Sequence, residues 1–139
     1  MSPQVVVAKQ NTNAEQISAR LLAGEFNGLP VVDNNGSVVG IVTAIDILKA
    51  IQEDGDGKRQ LNTMVAKDIM TPNPSVVKKD TPLEDIIGIM VKKQIELVPV
   101  VEDDDSKKLV GVVARLDIIR EKLNEGFIIM GKREAIART

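Results

Sequence analysis

Gly40-Ile41-Val42-Thr43-Ala44-Ile45-Asp46 recurs as Gly111-Val112-Val113-Ala114-Arg115-Leu116-Asp117, at an offset of 71 residues. Working outward from this pair, Pro30-Val31-Val32 falls on Pro99-Val100-Val101, Glu15 on Glu84, Thr12 on Thr81 and Met1-Ser2-Pro3 on Met70-Thr71-Pro72, all at an offset of 69. A register held over so many positions marks an internal duplication, with two residues added in one loop of the second copy.

Each copy reads as strand, helix, strand, strand, helix, an α/β unit. Val5 to Ala8 and Ser75 to Val77 are short apolar runs suited to a strand. Thr12-Asn13-Ala14-Glu15 and Thr81-Pro82-Leu83-Glu84 both fit a capping box, with Pro82 at the first helical position where its missing N–H costs nothing. Ala14, Ile17 and Leu21 give the first helix an apolar face, as Leu83, Ile86, Ile87 and Met90 do in the second copy, and Gly24 and Gly28 end the first. Leu29 to Val32 and Val38 to Val42 form a hairpin around Asp33-Asn34-Asn35-Gly36-Ser37, where the Asn-Gly pair tolerates positive φ. The counterpart turn, Glu102 to Lys108, is longer and charged and absorbs the insertion. Final helices are expected from Asp46 to about Ile51 and from Asp117 to about Leu123. The expected division is a first copy over 1–55, a linker over 56–69, a second copy over 70–125 and a tail over 126–139, in which Phe127-Ile128-Ile129-Met130 covers apolar surface.

The composition limits the chemistry. The chain has 139 residues, 18 basic and 20 acidic, for a net charge of −2, so it is not a basic nucleic-acid tail. Aromatics make up 1% against 43% hydrophobic residues, which leaves an aliphatic core and no stacking platform for single-stranded nucleic acid. Without Cys there is no disulfide, thiolate nucleophile or Cys-based metal site, and without His the usual general base and transition-metal ligand are missing. Asp54-Gly55-Asp56-Gly57 lacks the later ligands of a calcium loop, and Asp103-Asp104-Asp105 reads as a solvated turn. No apolar run approaches the ~20 residues that span a bilayer, and the N-terminus lacks a basic region followed by an apolar stretch. The expectation is a cytoplasmic protein with no membrane insertion.

The ordered set Gly28-Leu29-Pro30-Val31-Val32-Asp33, Gly36 and Gly40 to Leu48, met twice and introduced in the second copy by Asp68-Ile69-Met70-Thr71-Pro72, resembles a tandem pair of cystathionine β-synthase (CBS) domains, a Bateman module. The resemblance covers nearly the whole chain. Because Met1-Ser2-Pro3 matches the end of a copy's leading motif, the chain is expected to start abruptly, as an independent small protein or an excised fragment. The resemblance implies two units packed through their sheets about a pseudo-two-fold axis, leaving two clefts, and a further pairing into a homodimer. It implies a regulatory module, not an enzyme, that needs no cofactor and binds AMP, ADP, ATP or S-adenosylmethionine to control an unidentified partner protein. The alternative is a dimerisation or docking module with degenerate, empty clefts.

Within that frame Asp46 and Asp117 are the expected ribose ligands, since an ionised carboxylate accepts hydrogen bonds from vicinal hydroxyls. Thr43 adds a hydroxyl at the strand-to-helix turn, where free helical N–H groups favour an anion. Thr-x-x-Asp before an apolar run is equally a capping box, and the two roles do not exclude each other. Ala114 replaces the hydroxyl in the second copy, so the cleft of Thr43 and Asp46 is expected to be the tighter. Ile41 and Val112, together with Leu29-Pro30 and Val98-Pro99, are expected to border the base, and Arg115 is the best candidate for a phosphate, ahead of Lys9, Lys78, Lys49 and Arg120. Glu96 stands where strong nucleotide binders of the family often place a basic residue, and would repel a phosphate.

Overall fold

The duplication is visible strand by strand in the computed structural model, which describes residues 6–54 and 61–130. The first unit runs β1 (Ala8–Lys9), α1 (Ala14–Leu22), β2 (Gly28–Val32), β3 (Val38–Thr43) and α2 (Ala44–Asp54). A short α3 (Ala66–Ile69) and β4 (Thr71–Pro72) follow, then the second unit: β5 (Val77–Lys78), α4 (Leu83–Lys93), β6 (Leu97–Val101), β7 (Leu109–Ala114) and α5 (Arg115–Met130). In each unit the first strand lies parallel to the second, Ala8 opposite Val31 and Val77 opposite Val100. The second and third strands form the antiparallel hairpin, Leu29 opposite Val42 and Val98 opposite Val113, and both hairpins shift register at the same repeat position.

β4 breaks the symmetry of the sequence. Although Met70-Thr71-Pro72 leads the second copy, it pairs antiparallel with β3 of the first, Ile41 opposite Thr71 and Gly40 opposite Pro72, and completes a four-stranded sheet. Gly40 makes room for it, because a Cβ there would run into the Met70 side chain.

Ile17, Leu29, Val31 and Val42 are the heart of the first core, and Ile86, Met90, Val98 and Val100 that of the second. A third cluster, Val32, Val38 and Val101 with Val7, Val76 and Leu109 against it, lies between the units. Each fully buried Val or Leu side chain contributes roughly 1.5–3 kcal/mol. At the same junction the two hairpin turns pair with each other: the Val38 N–H donates to Lys107 O at 2.9 Å and the Leu109 N–H to Gly36 O at 3.1 Å.

Several boundaries differ from the sequence reading. The first strands sit later, at Ala8–Lys9 and Val77–Lys78. Thr12 does not cap α1: its Oγ1 accepts from the Lys9 N–H, as Thr81 accepts from Lys78, and Asn13 takes the cap by accepting from Glu15 and Gln16. Pro82 is itself the cap residue of α4, one position before the helix. Gly24, at φ 80°, follows the end of α1, whereas Gly28 opens β2. The final helices begin two residues early, at Ala44 and Arg115, because each Asp occupies the third helical position and bonds back to the residue before the helix. Phe127 to Met130 continue α5. Met1-Ser2-Pro3 and Asp56-Gly57 lie outside the described residues.

The helices leave apolar side chains in solvent at repeat-related positions. Leu22 is 84% exposed and its counterpart Val91 69%, and Ile45 with Leu116 and Leu48 with Ile119 follow the same pattern. Among the described residues no helix is long and apolar enough to cross a membrane.

Candidate functional site

The turn from β3 into α2 places Thr43 just before the helix and Asp46 at its third position. The carboxylate folds back over the helix start, Oδ2 accepting the Thr43 N–H at 2.8 Å and the Thr43 hydroxyl at 3.1 Å. Oδ1 accepts the Thr71 hydroxyl at 2.6 Å. Asp46 is only 6% exposed, the buried charged residue among those described. A carboxylate offers about four acceptor positions. These bonds use both on Oδ2 and one on Oδ1, which leaves one on Oδ1.

Above this corner lies a cleft of about 370 Å³ between the two units. Ile41, Thr43, Ile45, Asp46 and Lys49 form one wall, Thr71 and Asn73 to Ser75 a second, and Gln94 to Leu97 of the other unit a third. The volume falls within the roughly 300–1,000 Å³ typical of small-molecule sites.

The second copy repeats the helix cap without the hydroxyl: Asp117 Oδ2 accepts the Ala114 N–H at 2.9 Å, while Oδ1 lies 3.6 Å from an Arg120 nitrogen. Arg115 is engaged by Glu96, guanidinium to carboxylate at 3.1 Å and N–H to carbonyl at 2.9 Å. It lines a hollow of about 250 Å³ that Thr43, Glu96, Leu97 and Ala114 also border.

Thr43, Asp46 and Ile41 therefore come together at one cleft, and Arg115 lies beside it. Leu29, Pro30, Val98 and Pro99 are fully buried in the cores, and neither Val112 nor Asp117 lines this cleft. Of the weaker cation candidates, Lys49 lines it, Lys78 is paired with Asp104 at 2.9 Å, and Arg120 lies at Asp117. The wall at Thr71 to Ser75 and the residues Gln94, Ile95 and Leu97 escaped the sequence reading, which singles out Glu96 alone of that stretch. The signal was present in the repeat, since Leu97 precedes Val98 by one and so faces the opposite side of β6.

No group of residues suited to a metal occurs among those described. In the acidic turn the Ser106 and Asp105 N–H groups donate to the Asp103 carboxylate, the Ser106 bond chiefly holding its pKa below the usual range.

The CBS domain model matches this chain twice, over residues 1–53 and 66–124. CBSX2 of Arabidopsis thaliana, in a crystal structure with AMP, superposes with a TM-score of 0.74 at 31% identity, covering 88% of this chain and 90% of that one. The CBS domain pair of protein MJ0100, crystallised with 5′-methylthioadenosine and S-adenosyl-L-methionine, gives a TM-score of 0.74 at 30% identity, covering 90% and 93%. An L-aspartate semialdehyde sulfurtransferase of Methanocaldococcus jannaschii is 33% identical over 120 residues, 86% of this chain. The chain spans 22% of that enzyme's length and 58% of the full-length CBSX2 sequence, so the likeness to the enzyme is confined to its CBS part. Two matched copies, two repeated units with the same strand order and this set of relatives lead to one conclusion: the chain belongs to the CBS domain family, as a tandem pair.

Proposed function

We propose that the chain is a regulatory module that takes an adenosine-containing ligand in the cleft over Asp46 and passes its occupancy through a homodimer to a partner protein. Asp46 carries the reading. It is a buried carboxylate with one acceptor position open, set at the wall of a small-molecule cleft. A ribose hydroxyl donating to Oδ1 gains a charge-assisted bond of roughly 1.5–3 kcal/mol. A second hydroxyl is accommodated if Thr71 turns its own away. AMP in CBSX2 and S-adenosylmethionine in the MJ0100 pair support an adenosine compound, with AMP, ADP, ATP and S-adenosylmethionine as the candidates.

The repeat-related exposed side chains support the homodimer. Leu22, Ile45, Leu48 and their counterparts give each unit a matching apolar strip, which a second copy would cover in register. A ligand then regulates only as far as it binds two dimer geometries with different affinity.

The three internal bonds to Asp46 favour a second reading, a docking module whose cleft stays empty because the carboxylate is already satisfied. One experiment separates the two. With no Trp or Tyr the protein hardly absorbs at 280 nm, so a band near 260 nm in purified protein reports bound nucleotide. A thermal-shift series with AMP, ADP, ATP, S-adenosylmethionine and NAD then reads mass-action stabilisation, about 2.7 kcal/mol at a hundredfold excess over Kd. The sensor reading expects a shift with at least one compound that Asp46→Ala abolishes. No band and no shift in the wild type leave the docking module.

A further inference from the structure

We infer that the cleft selects adenosine derivatives whose 5′ substituent is uncharged or cationic and discriminates against phosphorylated ones. The inference rests on the adenosine-binding reading and narrows it. The charged side chains that line the cleft are Asp46, Glu96 and Lys49. Together they carry a net charge of −1, and Glu96 is the charged residue on the wall contributed by the second unit. Its partner Arg115 holds it at 3.1 Å but lines the neighbouring hollow and not the cleft, so the acidic member of the ion pair is the one at the cleft wall. Lys93 is bonded to Ser75 Oγ at 2.9 Å and does not line the cleft either.

A phosphate placed here meets Lys49 against two carboxylates, finds no guanidinium without opening the Glu96–Arg115 pair, and once that pair opens faces the Glu96 carboxylate directly. Ile41, Ile45, Ile95 and Leu97 supply the rest of the surface, and apolar walls strengthen charge repulsion relative to bulk water. A thioether meets only this aliphatic surface. A sulfonium or ammonium group gains the Glu96 carboxylate as its counter-charge.

Isothermal titration of the whole chain with 5′-methylthioadenosine, S-adenosylmethionine, AMP and ATP tests this directly. The first two are expected to bind roughly tenfold or more tightly than AMP, with ATP weakest. Glu96→Gln should narrow the gap by about threefold or more, and Arg115→Gln, which leaves Glu96 unopposed, should widen it. Both side chains are more than half exposed, so neither change threatens the fold. AMP binding as tightly as 5′-methylthioadenosine, or a gap that Glu96→Gln does not move, overturns the inference and leaves adenosine binding in place. Binding of none of the compounds overturns the reading on which it stands.

Discussion

Thr71 donates its hydroxyl to Asp46 across 2.6 Å, joining residues 25 apart in sequence. The bond ties β4, the strand borrowed from the head of the second copy, to the first turn of α2. A ligand that competes for Asp46 Oδ1 therefore acts on the segment connecting the two units as well as on the helix.

Thr71→Val keeps the shape and removes the donor. It is expected to cost about 1–2 kcal/mol, below the full value of a charged hydrogen bond because Thr71 is exposed. Thr71→Ser should recover most of the loss. Urea denaturation of the three proteins measures it, and equal midpoints for Val and wild type would show that the bond contributes nothing.

Asp46→Ala removes the acceptor for three donors at once and should destabilise the chain by about 1–3 kcal/mol while abolishing adenosine binding. Asp46→Asn retains one oxygen and should fall between. Retained affinity in a folded Asp46→Ala protein, read by titration, would move the ribose elsewhere.

Thr43→Ala makes the first copy resemble the second at Ala114. The Thr43 hydroxyl gives its proton to Asp46 and is left to accept from a ligand; losing that neutral hydrogen bond is worth roughly 0.5–1.5 kcal/mol, so affinity for AMP and for S-adenosylmethionine should fall about two- to thirteenfold. Titration that instead finds two wild-type sites of equal affinity contradicts the expected difference between the clefts.

Leu48→Glu with Ile119→Glu puts a charge on the apolar strip of each unit. Both side chains are exposed, so the fold should hold while the dimer dissociates. Sedimentation equilibrium over a range of concentrations reads this, and a wild type that stays monomeric removes the dimer from the proposal.

Gly40→Ala drives a methyl group into Met70, next to the β3–β4 pairing. The expected cost is about 1–2 kcal/mol, the overpacking range for a neighbour that is itself adjustable. A companion Met70→Ala change should relieve it in denaturation experiments.

The hairpins were legible in the sequence because a buried run, a turn and an alternating run leave few other solutions, and Pro30 and Pro99 fall in register within them. Asp46 and Thr43 were legible as a pair because a local bond needs only local spacing. What the spacing hid were the roles that depend on the chain returning. Thr71 meets Asp46 only after the linker folds onto β3, and Gln94 to Leu97 reach the cleft only when the second unit closes on the first. The helix starts were misplaced for a related reason: an acidic residue that bonds backward looks like the beginning of a helix when it is already two residues inside. Leu29 and Pro30 look like a ligand's bed by composition, yet both are fully buried, Leu29 in the first core and Pro30 on the opposite face of β2.

The bonds between the two hairpin turns carry one more consequence. Val38 corresponds to Leu109 and Gly36 to Lys107, so the link from Val38 to Lys107 and the link from Leu109 to Gly36 are the same contact made twice. Such a contact makes no use of the polypeptide being continuous. Two unlinked half-length chains, each holding a single repeat, could clasp one another in the same way, which is the geometry that lets a self-associating ancestor become a fused tandem without inventing a new interface.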